Sequence, residues 1–166
     1  ELCNNHLSEK AAKELAQSKN LKLKHLDIRW NPINNEGLNH LANASCMQEL
    51  TSLRIAYCSI TTDGIINLVN SPFLKKLHLL DLHGNKLKDK SMEFIAECEH
   101  LGDLTSIDIG NTDITSEGFI TLVQSEHMKN IITLEASDNG NIENSALFVF
   151  AEKCYMQNLR TLDISG

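Results

Sequence analysis

An apolar phrase recurs about every 27 residues along the chain, and nothing else in the sequence restricts the fold so tightly. Aligned on its first apolar residue, it reads Leu23-x-x-Leu26-x-Ile28, Leu50-x-x-Leu53-x-Ile55 and Leu77-x-x-Leu80-x-Leu82. It continues as Leu104-x-x-Ile107-x-Ile109, Ile131-x-x-Leu134-x-Ala136 and Leu159-x-x-Leu162-x-Ile164. Successive starts are spaced 27, 27, 27, 27 and 28 residues apart. A unit this short cannot bury its apolar face alone. Stacked units can, which predicts a quasi-linear solenoid in which each unit touches its neighbours.

A second phrase follows each strand-like one. It begins as Asn31-x-Ile33, then Gly37-Leu38-x-x-Leu41-Ala42. Its counterparts run through Gly64-Ile65, Leu68-Val69; Ser91-Met92, Ile95-Ala96; Gly118-Phe119, Leu122-Val123; and Ala146-Leu147, Phe150-Ala151. Apolar residues at i, i+1, i+4 and i+5 define one face of a helix of two to three turns. The small residue opening that face is expected to let the helix press on the strand layer. Met47, Leu74, Leu101, Met128 and Met156 add a further inward column. In the turn after the strand, Asn31 and Asn85 can satisfy main-chain groups of adjacent turns, and Cys58 and Thr112 replace the asparagine as substitutes in alternate repeats. The fifth unit has one extra residue before Ile142, so either Asn139 or Asn141 fills its slot, with a local bulge.

These rows resemble the ribonuclease-inhibitor-like class of leucine-rich repeat proteins, and the resemblance covers essentially the whole chain. It implies an α/β fold: a curved horseshoe with a parallel β-sheet on the concave face and α-helices on the convex face. The LDI strands and G-x-x-x-L helices are also similar to leucine-rich repeat effectors of intracellular bacteria. Residues 1–166 read as one solenoid domain of about six repeats that starts and ends mid-repeat. Leu2 aligns with Ile28, Asn5 with Asn31 and Leu7 with Ile33, while the other end stops at Gly166 before the asparagine slot. This reads as a piece of a longer horseshoe. The alternative is a chain whose uncapped ends associate with other copies of itself.

A net charge of −7 argues against nucleic acid, whose recognition needs a basic face. No apolar run approaches the ~20 residues of a membrane span, and no signal peptide is visible. The five cysteines form no C-x-x-C pair, and they read as free thiols of a reducing cytoplasm. The bacterial resemblance adds delivery into a host cell as a variant of that location.

Alternate strand residues face the concavity, so the alignment reads that surface as columns. The central column is Asp27, Arg54, Asp81, Asp108, Glu135 and Asp163. The next is Arg29, Ala56, His83, Gly110, Ser137 and Ser165, and Trp30, Tyr57, Gly84, Asn111 and Asp138 stand at the strand exits. The preceding column runs His25, Ser52, Leu79, Ser106 and Thr133. His25, Arg29, Trp30, Arg54, Tyr57 and His83 gather residue types favoured at binding hot spots. Structural duty competes with that reading: Trp30 folding over the strand edge, Arg54 bridging Asp27 and Asp81. Towards the C-terminus, Asp81, Asp108, Glu135, Asp138 and Asp163 form an acidic strip suited to a basic peptide or domain.

No nucleophile motif surrounds His83, and no phosphate loop is present. Asp138-Asn139-Gly140-Asn141 lacks the alternating ligands and closing glutamate of a calcium loop. The chain is therefore read as a non-enzymatic module without metal or cofactor, with His25, Asp27, Arg29, Trp30, Arg54, Tyr57, Asp81, His83, Asp108 and Glu135 binding a protein partner. The alternative, by resemblance, is the substrate-recruiting arm of a ubiquitin ligase, or a small-GTPase regulator, whose catalytic part lies outside these residues.

Overall fold

The computed structural model describes residues 1–166. Helix α1 (Glu9–Ala16) precedes five strand–helix units: β1 (His25–Asp27), α2 (Asn34–Ala42), β2 (Ser52–Arg54), α3 (Thr62–Val69), β3 (Leu79–Asp81) and α4 (Lys88–Ala96). Then come β4 (Ser106–Asp108), α5 (Ser116–Val123), β5 (Thr133–Glu135), α6 (Asn144–Lys153) and β6 (Thr161–Asp163). The six strands form one parallel sheet in sequence order. Its register pairs Asp27 with Arg54, Arg54 with Asp81, Asp81 with Asp108, Asp108 with Glu135 and Glu135 with Asp163. That is the central column expected from the alignment.

Each strand points one residue inward, and Leu26, Leu53, Leu80, Ile107 and Leu134 are all buried. The predicted inner column of Met47, Leu74, Leu101, Met128 and Met156 is buried as well. Helices of 8 to 10 residues are too short to be stable alone, so packing of their apolar faces holds them. Most of the predicted faces lie inward. Ala151 does not: it is exposed on α6, where Phe150 instead packs on Phe119 at 6.1 Å between ring centroids.

Asparagines staple the turns in alternate repeats. Asn85 accepts hydrogen bonds from the main-chain N–H groups of Cys58 and Ile60, and its amide nitrogen donates to the carbonyls of Ile55, Leu82 and His83. Asn31 does the same for Asn5, Leu7, Leu2, Ile28 and Arg29. The fifth slot belongs to Asn139, which accepts from Thr112 and Ile114 and donates to Ile109, Ala136 and Ser137. The extra residue falls after it, where Gly140 faces open space. Cys58 and Thr112 replace only the donor half of the amide: the Cys58 thiol donates to the carbonyls of Ile28 and Ala56, and the Thr112 hydroxyl to that of Ile109. They are the residues whose N–H groups the following asparagine reaches back to capture.

The helix layer carries a complementary set of links. Asn35 on α2 accepts from Thr61 N–H and donates to its hydroxyl, capping α3. Asp89 on α4 accepts from the N–H groups of Thr115 and Gly118 and from the Thr115 hydroxyl, capping α5. This explains the small residues that open α3 and α5. A Cβ at Gly118 would lie 2.4 Å from Asp89 Oδ1, and one at Gly64 would lie 2.6 Å from Asn35 Oδ1. The close approach at Gly118 is thus to the preceding helix, and at Gly64 it is shared between that helix and the buried Ile60 side chain, also 2.6 Å away.

At the far end of each helix, Ser71, Cys98 and Ser125 donate to the carbonyls of Ala42, Val69 and Ala96 in the preceding helix. Asn85→Ala should strand two buried N–H donors and several carbonyls. It should cost at least about 3 kcal/mol in urea unfolding, while Glu152→Ala, at an exposed position of α6, should leave the midpoint in place.

Candidate functional site

The strand exits are where the sheet face acquires its chemistry. There the chain leaves the strand through a left-handed residue in five successive repeats: Trp30 (φ 59°), Tyr57 (φ 52°), Gly84 (φ 66°), Asn111 (φ 49°) and Asp138 (φ 57°). Glycine, asparagine and aspartate adopt that conformation readily. For bulky aromatics it costs on the order of 1–2 kcal/mol each. Main-chain bonds from Trp30 N–H to the Ala56 carbonyl and from Tyr57 N–H to the His83 carbonyl hold them there, at 2.9 and 2.8 Å.

The two strained aromatics meet. Trp30 stacks on Tyr57 with ring centroids 3.8 Å apart and planes 12° from parallel. Tyr57 lies in turn over Gly84, where a Cβ would come within 2.4 Å of the ring. Its hydroxyl is 3.1 Å from His83 Nε2, and His83 Nδ1 is 3.3 Å from an Asp108 carboxylate oxygen. Gly110 makes room for that imidazole, since a Cβ there would sit 2.6 Å from Nδ1. Trp30, Tyr57, His83 and Asp108 therefore form one continuous row across four strands. Trp30 is 56% exposed, so it has not folded into the edge of the sheet.

Arg29, not Arg54, does the bridging. Its guanidinium donates two hydrogen bonds to Asp27, at 2.9 and 2.7 Å, and approaches Asp81 at 3.9 Å. Burial pushes the Asp27 carboxyl up, but the hydrogen bonds from Arg29 and Cys3 outweigh it and bring the group down to about 2. Asp81 moves the other way: burial raises it, and Asp108 adds to the rise. Glu135 is raised by burial and then by Asp163 and Asp108. Asp163 is lowered by hydrogen bonds from Ser165.

The structure thus brings Trp30, Tyr57, His83 and Asp108 into one row and Asp27, Arg29 and Asp81 into one ionic cluster. Arg54 and Glu135 stand beside them, half-buried. His25 is exposed at the start of β1 and takes part in neither group. All five cysteines are free thiols, and no helix is long and apolar enough to cross a membrane. The left-handed exits and their glycine vacancies were missed in the sequence. Their signal was the column itself, which mixes Gly84, Asn111 and Asp138 with two aromatics.

Gly84→Ala should expel the Tyr57 ring and break the stack, and the emission of Trp30, the sole tryptophan, should shift relative to wild type. An unchanged emission spectrum would mean that the ring does not depend on that vacancy. Asp27 also sets a pH dependence. Its folded-state value lies below the ordinary one near 4, so its contribution is present above pH ~4 and lost as pH falls towards ~2. Asp27→Asn should flatten the stability profile in that window when unfolding midpoints are measured at successive pH values.

A family model described as Leucine Rich repeat matches residues 19–42 and 47–69. The chain is 29% identical over 160 residues to mouse (Mus musculus) NACHT, LRR and PYD domains-containing protein 4E, a match covering 89% of this chain and 16% of that protein. It is 34% identical over 103 residues to the mouse protein 4C of the same description, covering 58% of this chain and 10% of that one. The chain therefore spans less than a fifth of the length of either relative.

Among solved structures, the tropomodulin C-terminal domain of Caenorhabditis elegans superposes with a TM-score of 0.66 at 13% identity, over 92% of this chain and 93% of that one. An internalin of Listeria monocytogenes gives 0.62 at 21% identity, over 94% of this chain and 37% of that one. At those identities the likeness is one of fold.

Proposed function

We propose that this chain, a leucine-rich repeat protein, binds a protein partner on the concave face of its sheet, with Trp30 and Tyr57 as the anchor. The observation that carries this reading is the row from Trp30 to Asp108. Two strained aromatics are stacked over a glycine vacancy, the outer one is left 56% exposed, and carboxylates follow on the neighbouring strands. Strain held at an exposed aromatic pair does nothing for the core. On a binding face it supplies a rigid surface whose docking orders few side chains. Trp and Tyr bury large areas and still offer a hydrogen bond, which suits them to the centre of a contact. His25, Asp27, Arg29, Arg54, Asp81, His83, Asp108 and Glu135 surround that anchor. The acidic strip orients a partner that presents a basic patch.

The free thiols accord with a reducing, cytoplasmic setting, and delivery into a host cell as an effector belongs to the same proposal. A second reading makes this solenoid the recognition arm of a larger protein, such as a ubiquitin ligase or a small-GTPase regulator. It draws on the relatives, in which the matched stretch is a small part of chains named for their NACHT and PYD domains.

The test is affinity capture from eukaryotic cytosol, quantified by mass spectrometry, with Trp30→Ala/Arg54→Glu as the paired control. A partner held by wild type and lost by a double mutant with unchanged circular dichroism is the expected result. Equal capture by both proteins would remove the concave face from the reading.

A further inference from the structure

Six side chains make up the central column, and four of them are already engaged within the molecule. Asp27 is held by Arg29 and Cys3, Asp81 by the His83 N–H, Asp108 by Gly110 N–H and the His83 ring, and Asp163 by Ser165. Arg54 and Glu135 are different. Neither has a side-chain hydrogen bond or an ion pair. Both are half-buried on the sheet face, so each has already lost part of its water without gaining a partner, and an arriving opposite charge would supply one. They also carry opposite charges. An acidic strip alone would call for a uniformly basic partner, and a free guanidinium on β2 does not fit that description.

We infer that the concave face receives an extended peptide segment bearing a carboxylate and, four residues along, an ammonium or guanidinium group, the first seated on Arg54 and the second on Glu135. This rests on the concave-face reading above and narrows its partner.

The spacing follows from the sheet. Arg54 and Glu135 are three strands apart in register, so about 14 Å separates them at about 4.8 Å per strand. Four residues of extended chain cover about the same distance at about 3.4 Å each. Residues i and i+4 of an extended chain also point to the same side, so both charges can face the sheet together. The strands are three residues long, which makes a floor about 10 Å across. That fits an extended chain laid across the strands better than a helix, whose diameter with side chains is about 10–12 Å and would fill the whole floor. A guanidinium takes a carboxylate through two parallel hydrogen bonds, so Arg54 reads its partner by geometry as well as by charge.

Three fluorescein-labelled nonapeptides in one Thr/Ser host sequence would serve as probes, read by fluorescence anisotropy. The first carries Asp and Arg four residues apart, the second Arg at both positions, and the third Asp and Arg two residues apart. Wild type should bind the first at least about tenfold more tightly than either of the others. Arg54→Glu should reverse the order in favour of the all-arginine probe, and Glu135→Gln should weaken the mixed probe while circular dichroism stays unchanged.

A wild type that prefers the all-arginine probe would overturn the inference and leave an acidic, concave binding face standing. Equal binding of the two mixed spacings would also overturn it, because charge without register would then suffice. No binding of any probe at millimolar concentration would overturn the inference and count equally against charged-segment recognition on this face.

Discussion

The solenoid depends on how its turns, which leave each strand abruptly and inside the protein, find partners for their main-chain groups. A buried N–H or carbonyl without a partner costs about as much as a lost hydrogen bond, and a stack of irregular turns multiplies that cost. One asparagine amide answers for two turns at once, as Asn85 does for Cys58, Ile60, Ile55 and Leu82. The helix layer supplies the junctions that the amides leave out. Asn31 joins the first partial unit to the β1 repeat, Asn35 joins α2 to α3, Asn85 joins the β2 and β3 turns, Asp89 joins α4 to α5, and Asn139 joins the β4 and β5 turns. Turn staple and helix cap alternate down the stack, so each of these junctions has at least one such polar link beside its shared apolar core.

The sheet face inherits its rigidity from that arrangement and then uses its side chains in two ways. Some charges are consumed internally. Arg29 satisfies Asp27 and leans towards Asp81, and Asp108 braces the imidazole that braces Tyr57. Their role is to fix shape, and the fall of Asp27 to about 2 reflects how completely its charge is met. Others stay unmet on a surface that is otherwise well satisfied, and it is there that an external group gains most by arriving.

Much of the architecture was legible in the sequence because a period of 27 fixes register without any knowledge of contacts. Every residue of the central column stands where the alignment put it. What the alignment could not show is direction along the third dimension. Arg29 and Arg54 are both arginines beside Asp27, and only rotamer and reach decide which one bridges; the residue two positions further along the chain wins. Likewise Gly37, Gly64 and Gly118 share a column, yet at the latter two a reason for glycine lies on the preceding helix, in Asn35 and Asp89. A contact between units is invisible to a reading that treats each unit as a copy of the last.

The same staples show that the chain has a longer period than its leucines suggest. Asn31, Asn85 and Asn139 are 54 residues apart, as are Asn35 and Asp89, and the left-handed turn residues Asn34 and Lys88 alternate with Ser59 and Asp113 at that interval. The true module is a pair of unlike repeats. A chain of this kind can be lengthened or shortened by two repeats and keep every seam closed. Adding or deleting a single repeat would set two turns of the same kind against each other, leaving an amide with nothing to reach or a row of turn N–H groups with no amide. Duplication in such a gene is therefore expected to be tolerated in even steps, whatever the binding face is selected to hold.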